Sequence, residues 1–99
     1  MAVNSMVTGG CIISGAYVAD SLLSTEVRID EGSRLESSVL LPGATVGRKC
    51  HVRRCIMDEL CVIPDGMNIG IDRQLDAQRF YVTEGGVVLV TPDMLKALD

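Results

Sequence analysis

A spacing of 17 residues recurs along the first part of the chain, and it constrains the fold more than any other feature. Ile12, Ile29, Val46 and Ile63 form a first column at this spacing; Val18, Leu35, Val52 and Ile69 form a second; Leu23, Leu40 and Met57 form a third. All eleven positions are apolar. The steps within one repeat are six, five and six residues, so one turn of chain holds three short segments, each anchored by a bulky aliphatic side chain. A fixed period of this kind means that units stack and bury a core jointly, which none of them can do alone.

Alternation along a strand sends the residue two places before each anchor to the same side. In the first column these positions read Gly10, Val27, Ala44 and Cys61, in the second Ala16, Ser33, Cys50 and Met67, and in the third Asn4, Ser21, Ser38 and Cys55. Most are small and all are uncharged. Large and small inward residues thus alternate, as a narrow three-sided prism requires. Gly15, Gly32, Gly43 and Gly66, with Asp30 and Asp65, fall at its corners, where turns favour these residue types. An amphipathic helix is disfavoured, because Gly, Ser, Thr and Asp recur too often and three-four spacing is missing. The expected fold is all-β: a parallel β-helix of about four coils over residues 4–71. Residues 72–99 follow as a link, a strand and a short C-terminal helix of the same domain. Coils should stack about 4.8 Å apart. Each buried anchor should contribute roughly 1.5–3 kcal/mol before entropy is subtracted.

Composition fits a small core. The chain has 99 residues, 47% hydrophobic, with no Trp and only Tyr17, Tyr81 and Phe80 as aromatics. Its net charge of −4 argues against nucleic acid, whose binding relies on Lys and Arg at phosphates. No apolar run is long enough to span a bilayer. The first residues lack the basic and apolar regions of a signal peptide, so a soluble, cytoplasmic protein is expected. Cys11, Cys50, Cys55 and Cys61 include no pair with a two-residue spacer, and His51 is the single histidine. Neither a zinc site nor a disulfide framework suits that pattern, and buried reduced thiols are the preferred reading. No metal site and no resident cofactor are expected.

Residues flanking the anchors should face outward. Along the second column these are Tyr17, Ala19, Arg34, Glu36, His51, Arg53, Asn68 and Gly70, a polar face. Along the third they are Ser5, Val7, Leu22, Ser24, Val39, Leu41, Ile56 and Asp58. Leu22, Val39, Leu41 and Ile56 make an apolar stripe, which marks either an interface with a partner or the bed of the chain's own tail. Asp72 to Arg79 reads as a short helix or an irregular loop, and Gly86 to Thr91 as a strand. Thr91 suits a helix N-cap, with Pro92 following and Met94, Leu95 and Leu98 on one face. The chain enters the coil almost at once, without a capping element, so upstream residues are expected.

Candidate chemistry is sparse. His51 has no obvious orienting carboxylate, so a solvated histidine is preferred over the general base of an acyltransferase. Arg48, Lys49, Arg53 and Arg54 lie at neighbouring corners, as a phosphate site or as solvated charges. No Gly-rich loop precedes a Lys as in phosphate-binding motifs, and the carboxylates are scattered, so no catalytic residue is assigned.

The segment from Asn4 to Gly15, Ser38-Val39-Leu40-Leu41-Pro42, Val46-Gly47-Arg48, Arg53 to Asp58 and Ile63 to Gly70 together carry a resemblance. So do Asp76, Ala77, Arg79-Phe80-Tyr81 and Val87 to Thr91. With them the chain resembles the C-terminal domain of bacterial glucose-1-phosphate adenylyltransferases, over nearly its whole length. The resemblance implies a left-handed, single-stranded hexapeptide-repeat coil, which serves regulation and oligomerisation and is not catalytic by itself. It implies a parent nucleotidyltransferase that makes ADP-glucose and pyrophosphate from ATP and glucose 1-phosphate in glycogen biosynthesis. The parent's N-terminal catalytic domain would hold Mg²⁺ and ATP. A homo-tetramer and a sugar-phosphate or adenine-nucleotide effector are further implications. Lys96 matches one basic effector position of the family, with Arg48, Arg53 and Arg54 as further candidates. Glu59 and Pro92 depart from arginines found at two other positions. The alternatives are a stand-alone hexapeptide acyltransferase using His51, and a structural β-helix of a related sugar-nucleotide transferase.

Overall fold

The computed structural model describes residues 1–98; Asp99, the last residue of the expected 72–99 segment, lies outside the described residues. Short strands wind around a common interior. The first turn holds β1 (Ala2–Val3), β2 (Met6–Val7) and β3 (Ile12–Ile13). The second holds β4 (Tyr17–Ala19), β5 (Leu22–Leu23) and β6 (Arg28–Ile29), and the third β7 (Arg34–Glu36), β8 (Val39–Leu40) and β9 (Thr45–Val46). The fourth holds β10 (His51–Arg53), β11 (Cys55–Met57) and β12 (Val62–Ile63), and β13 (Asn68–Ile69) starts a fifth. The tail follows as α1 (Arg73–Arg79), β14 (Tyr81–Val82), β15 (Val88–Val90) and α2 (Pro92–Lys96).

Corresponding strands of successive turns pair in parallel and make three flat faces. One face is β1-β4-β7-β10-β13, the second is β2-β5-β8-β11-β15-β14, and the third is β3-β6-β9-β12. This is a parallel β-helix of about four turns with a short C-terminal helix, the fold class expected. The second column is buried throughout: Val18, Leu35, Val52 and Ile69 are each 0% exposed. Leu23, Leu40 and Met57 of the third column, and Ile29, Val46 and Ile63 of the first, are buried as well.

The first turn differs from the reading of the sequence. Its strands lie 16 residues, not 17, from their partners, with Ala2 beside Val18, Met6 beside Leu22 and Ile13 beside Ile29. Three residues, Ser14 to Ala16, link β3 to β4, whereas four, Asp30 to Ser33, link β6 to β7. Dropping one residue reverses the side each upstream residue faces. Ile13, not Ile12, therefore continues the first column, and Ile12 is exposed. By the same slip Cys11 replaces Gly10, Ser5 replaces Asn4, and Ser5 and Val7 belong to the inward rows. All four cysteines then point inward, and all four are free thiols.

Inward serines satisfy the crowded corner between the first two faces. The Ser5, Ser21 and Ser38 hydroxyls accept from the Ser21, Ser38 and Cys55 backbone N–H groups one turn above, each at 3.1 Å. Each hydroxyl in turn donates to the carbonyl two residues before it. A buried polar group placed this way has both roles filled. Left-handed backbone recurs at the corners, at Asn4, Asp20, Ser37 and Arg54 on one edge and at Gly15, Gly32, Lys49 and Gly66 on another.

The tail caps the top of the prism. The segment Asp72 to Arg79 is helical: the Asp72 carboxylate accepts from the Gln74 and Leu75 N–H groups, which satisfies donors left open at a helix start. Buried Asp76 accepts from the Gly70 N–H at 2.9 Å and pairs with Arg79 at 3.1 Å, fixing α1 to the last turn. Gly70 has φ +82° and lies directly over the Arg53 carbonyl, leaving no room for a side chain. β15 adds to β11 in parallel, and β14 returns antiparallel to β15. Thr91 caps α2 by accepting from the Met94 N–H. No helix among the described residues is long and apolar enough to cross a membrane.

Candidate functional site

Three surfaces merit attention: the outside of the six-stranded face, the polar five-stranded face, and the groove beneath α2. On the six-stranded face, register aligns Met6, Leu22, Val39, Ile56, Leu89 and Tyr81 as direct neighbours on successive strands. At about 4.8 Å per strand this apolar ladder runs roughly 24 Å. Met6, Leu22, Ile56 and Tyr81 are exposed, and Val39 and Leu89 half-buried. Leu41 stands beside the ladder and, with Ile56, Asp58, Leu89, Val90 and Thr91, lines a shallow hollow of about 190 Å³. The expected stripe Leu22, Val39, Leu41 and Ile56 is therefore contiguous in space. The tail does not lie across it: β15 and β14 extend the sheet and lengthen the ladder. Sequence reasoning missed Met6 because of the register slip, and Leu89 and Tyr81 because the tail has no period.

On the polar face a carboxylate does orient the histidine, contrary to the expectation. His51 Nε2 lies 2.9 Å from Glu36 Oε1, and Arg34 Nε donates to the same oxygen at 2.8 Å. The Arg34 guanidinium in turn stacks 4.7 Å from the Tyr17 ring centre. The hydrogen bond from His51, and then that from Arg34, hold the Glu36 carboxyl below its ordinary range. The period itself could have exposed the pair, since His51 stands one repeat after Arg34, beside Glu36. The His51 and Glu36 side chains are both partly exposed on this face.

The basic residues disperse. Arg54 donates to the Gly85 carbonyl at 2.6 Å and ties down the tail hairpin, so its role is at least partly structural. Arg53 stands on the five-stranded face, while Arg48 and Lys49 occupy the corner one strand earlier, where Asp65 accepts from the Arg48 N–H. Lys96 sits apart from them on α2.

Lys96 borders a groove of about 510 Å³ between α2 and the fourth turn. Leu60, Val62, Pro64, Met67, Pro92, Leu95 and Leu98 complete its lining. Leu60 is unusual: it has φ +60° and is 70% exposed. Left-handed backbone costs a residue with a side chain roughly 1–2 kcal/mol. Gly43 one turn below makes room for it, since a Cβ there would stand 2.6 Å from Leu60 Cδ2. Pro92 lines this groove, and Glu59 adjoins it in the chain through Leu60.

Buried thiols offer little reactivity. Burial pushes the Cys55 thiol up to about 12 and the Cys61 thiol up to about 11, so both stay protonated and poorly nucleophilic at neutral pH. Among the described residues no three His, Cys, Asp or Glu side chains are grouped to hold a metal ion.

Residues 1–90 match the family described as GlmU-like, C-terminal hexapeptide. The chain is 52% identical over 96 residues to the glucose-1-phosphate adenylyltransferase of Pasteurella multocida (strain Pm70), covering 97% of this chain and 22% of that protein. It is 52% identical over 98 residues to the enzyme of that name from Enterobacter sp. (strain 638), covering 99% and 23%. A third, from Nitrosococcus oceani, is 54% identical over 95 residues, covering 96% and 22%. The chain thus spans roughly a fifth of the length of the curated relatives it matches.

Proposed function

This chain belongs to the GlmU-like C-terminal hexapeptide family, and from that premise we propose that it is the C-terminal regulatory and assembly domain of a glucose-1-phosphate adenylyltransferase. The parent enzyme joins ATP and glucose 1-phosphate into ADP-glucose and pyrophosphate, in the cytoplasm, for glycogen biosynthesis. The observation that carries this reading is identity above 50% along nearly the whole chain to three enzymes of that name. Chemistry belongs to the rest of the polypeptide, where ATP and Mg²⁺ would bind. This domain supplies a rigid prism, and its apolar ladder is the surface on which the catalytic domain or a neighbouring subunit of a homo-tetramer would rest. Lys96, with Arg48, Arg53 and Arg54 as more distant cations, would meet a sugar-phosphate or adenine-nucleotide effector.

A chimera tests it. The Pasteurella multocida enzyme, with its matching 96 residues replaced by this chain, should form ADP-glucose from ATP and glucose 1-phosphate. Its rate should respond to fructose 1,6-bisphosphate or AMP. A folded chimera that neither assembles as its parent does nor makes ADP-glucose would overturn the reading.

A further inference from the structure

We propose that Arg54 and Arg73 together bind one phosphate group at the turn between β14 and β15. Arg54 follows β10 on the fourth turn and Arg73 opens α1, yet both reach the same short stretch of backbone. Arg54 Nη2 donates to the Gly85 carbonyl at 2.6 Å, and Arg73 Nη2 reaches the Thr83 and Glu84 carbonyls at 3.4 and 3.3 Å. Three consecutive carbonyls thus gather two guanidinium groups.

The turn that gathers them is closed on itself. The Thr83 carbonyl accepts from the Gly86 N–H and the Thr83 hydroxyl from the Val87 N–H, each at 3.0 Å. Gly86 has φ +85°, and a Cβ there would stand 3.2 Å from Arg54 Nη1, so the glycine leaves the guanidinium its place. Among the described residues neither arginine is paired with a carboxylate. Each guanidinium carries five N–H donors, so most of them stay open to another acceptor. Neutral carbonyls do not cancel positive charge, and two cations held on one turn repel until an anion joins them.

Charge selects the ligand. Arg53 precedes Arg54 and is exposed, which adds a third cation nearby. Of the neighbouring carboxylates, Asp72 is taken up by the cap of α1, and exposed Glu84 pairs with neither arginine. A phosphate dianion matches two guanidinium groups in charge and offers their forks three oxygens; a carboxylate offers two oxygens and one charge. Lys96 sits apart on α2 and takes no part here. Arg54 already stands among the cations that an effector would meet, so the inference rests on that reading for the source of the phosphate, free or carried by a sugar.

Inorganic phosphate titrated into the 99-residue protein, with the arginine Nε–H resonances followed by NMR, should shift Arg54 and Arg73 along one saturable curve. Chloride at equal ionic strength should not. Fructose 1,6-bisphosphate should move the same two resonances; tighter binding than phosphate would assign the source to a sugar phosphate, and equal binding to free phosphate. Arg73→Gln should weaken phosphate about threefold to fivefold, the range of one exposed charge pair, while the thermal midpoint holds. Arg34→Gln, which removes a cation already paired with Glu36, should leave phosphate binding unchanged. Three outcomes overturn the proposal: chloride shifts equal to those of phosphate, equal weakening by the two variants, or saturable phosphate shifts centred on Lys96 with Arg54 and Arg73 unmoved. The last would leave the effector reading standing, whereas a chimera that makes no ADP-glucose would leave this binding curve untouched.

Discussion

Val52 lies between Leu35 and Ile69 on adjacent turns and has no exposed surface. A carboxylate there would have no cation and no donor, at a cost of several kcal/mol. Val52→Asp should therefore abolish the cooperative thermal transition seen by circular dichroism; a melt near the parent's temperature would contradict the inward assignment. Glu36 tests the outer side. Its folded pKa is depressed below the ordinary 4.5, with the His51 hydrogen bond the largest cause and Arg34 next. The stabilisation is present above the unfolded value and disappears as pH falls through the folded one. Glu36→Gln should lower the thermal midpoint slightly at pH 7 and leave it unchanged near pH 2. A difference that persists at the acid end would mean that packing, not charge, is responsible.

Among elements, the serine column shows how the coil tolerates polar groups in its interior. Ser38 links three turns: it takes the Cys55 N–H, gives to the Glu36 carbonyl, and its own N–H reaches the Ser21 hydroxyl. Ser38→Ala leaves the buried Cys55 N–H without an acceptor, a loss of about 1–3 kcal/mol. The expected fall in thermal midpoint is roughly 5–20 °C for a domain of this size. Ser24→Ala, on the outside of the same face, should change little, and equal effects of the two would show that the hydroxyl column is not what matters. The cap at Asp72 explains why the link is a helix, and both helix caps follow from residue type. What local signals could not give was the destination of the tail. Nothing in Tyr81-Val82 or Val88-Leu89-Val90 says that β15 will take the next place on β11, because that depends on which edge the last turn leaves open.

For the whole molecule, the contrast between faces is the main fact. One carries Arg34, Glu36, His51 and Arg53; the other presents Met6, Leu22, Val39, Ile56, Leu89 and Tyr81 in an unbroken apolar line. Contiguous apolar surface on this scale is the basis for the proposal that the catalytic domain or a neighbouring subunit rests here. Val39→Asp with Ile56→Asp should leave the melting transition of this chain nearly intact, since both side chains face outward. In the chimeric enzyme the same pair should lower the sedimentation coefficient. Unchanged assembly would show that the ladder is not the contact.

The sequence by itself determined the prism, because a 17-residue spacing of Val, Leu, Ile and Met with small residues two places before admits few other interiors. It also determined the Thr91 helix cap and the outward stripe, while Asp72 to Arg79 stayed open between helix and loop until the structure showed the Asp72 cap. It did not determine the first turn: Ile12 and Ile13 are equally apolar, so only the three-residue corner at Ser14 to Ala16, seen in three dimensions, decided which one faces in. Tertiary structure likewise decided the His51–Glu36 contact, the lengthening of the ladder by the tail, and the groove at Lys96. Each joins residues whose separation along the chain carries no information until the turns are stacked and the last strand has found its edge.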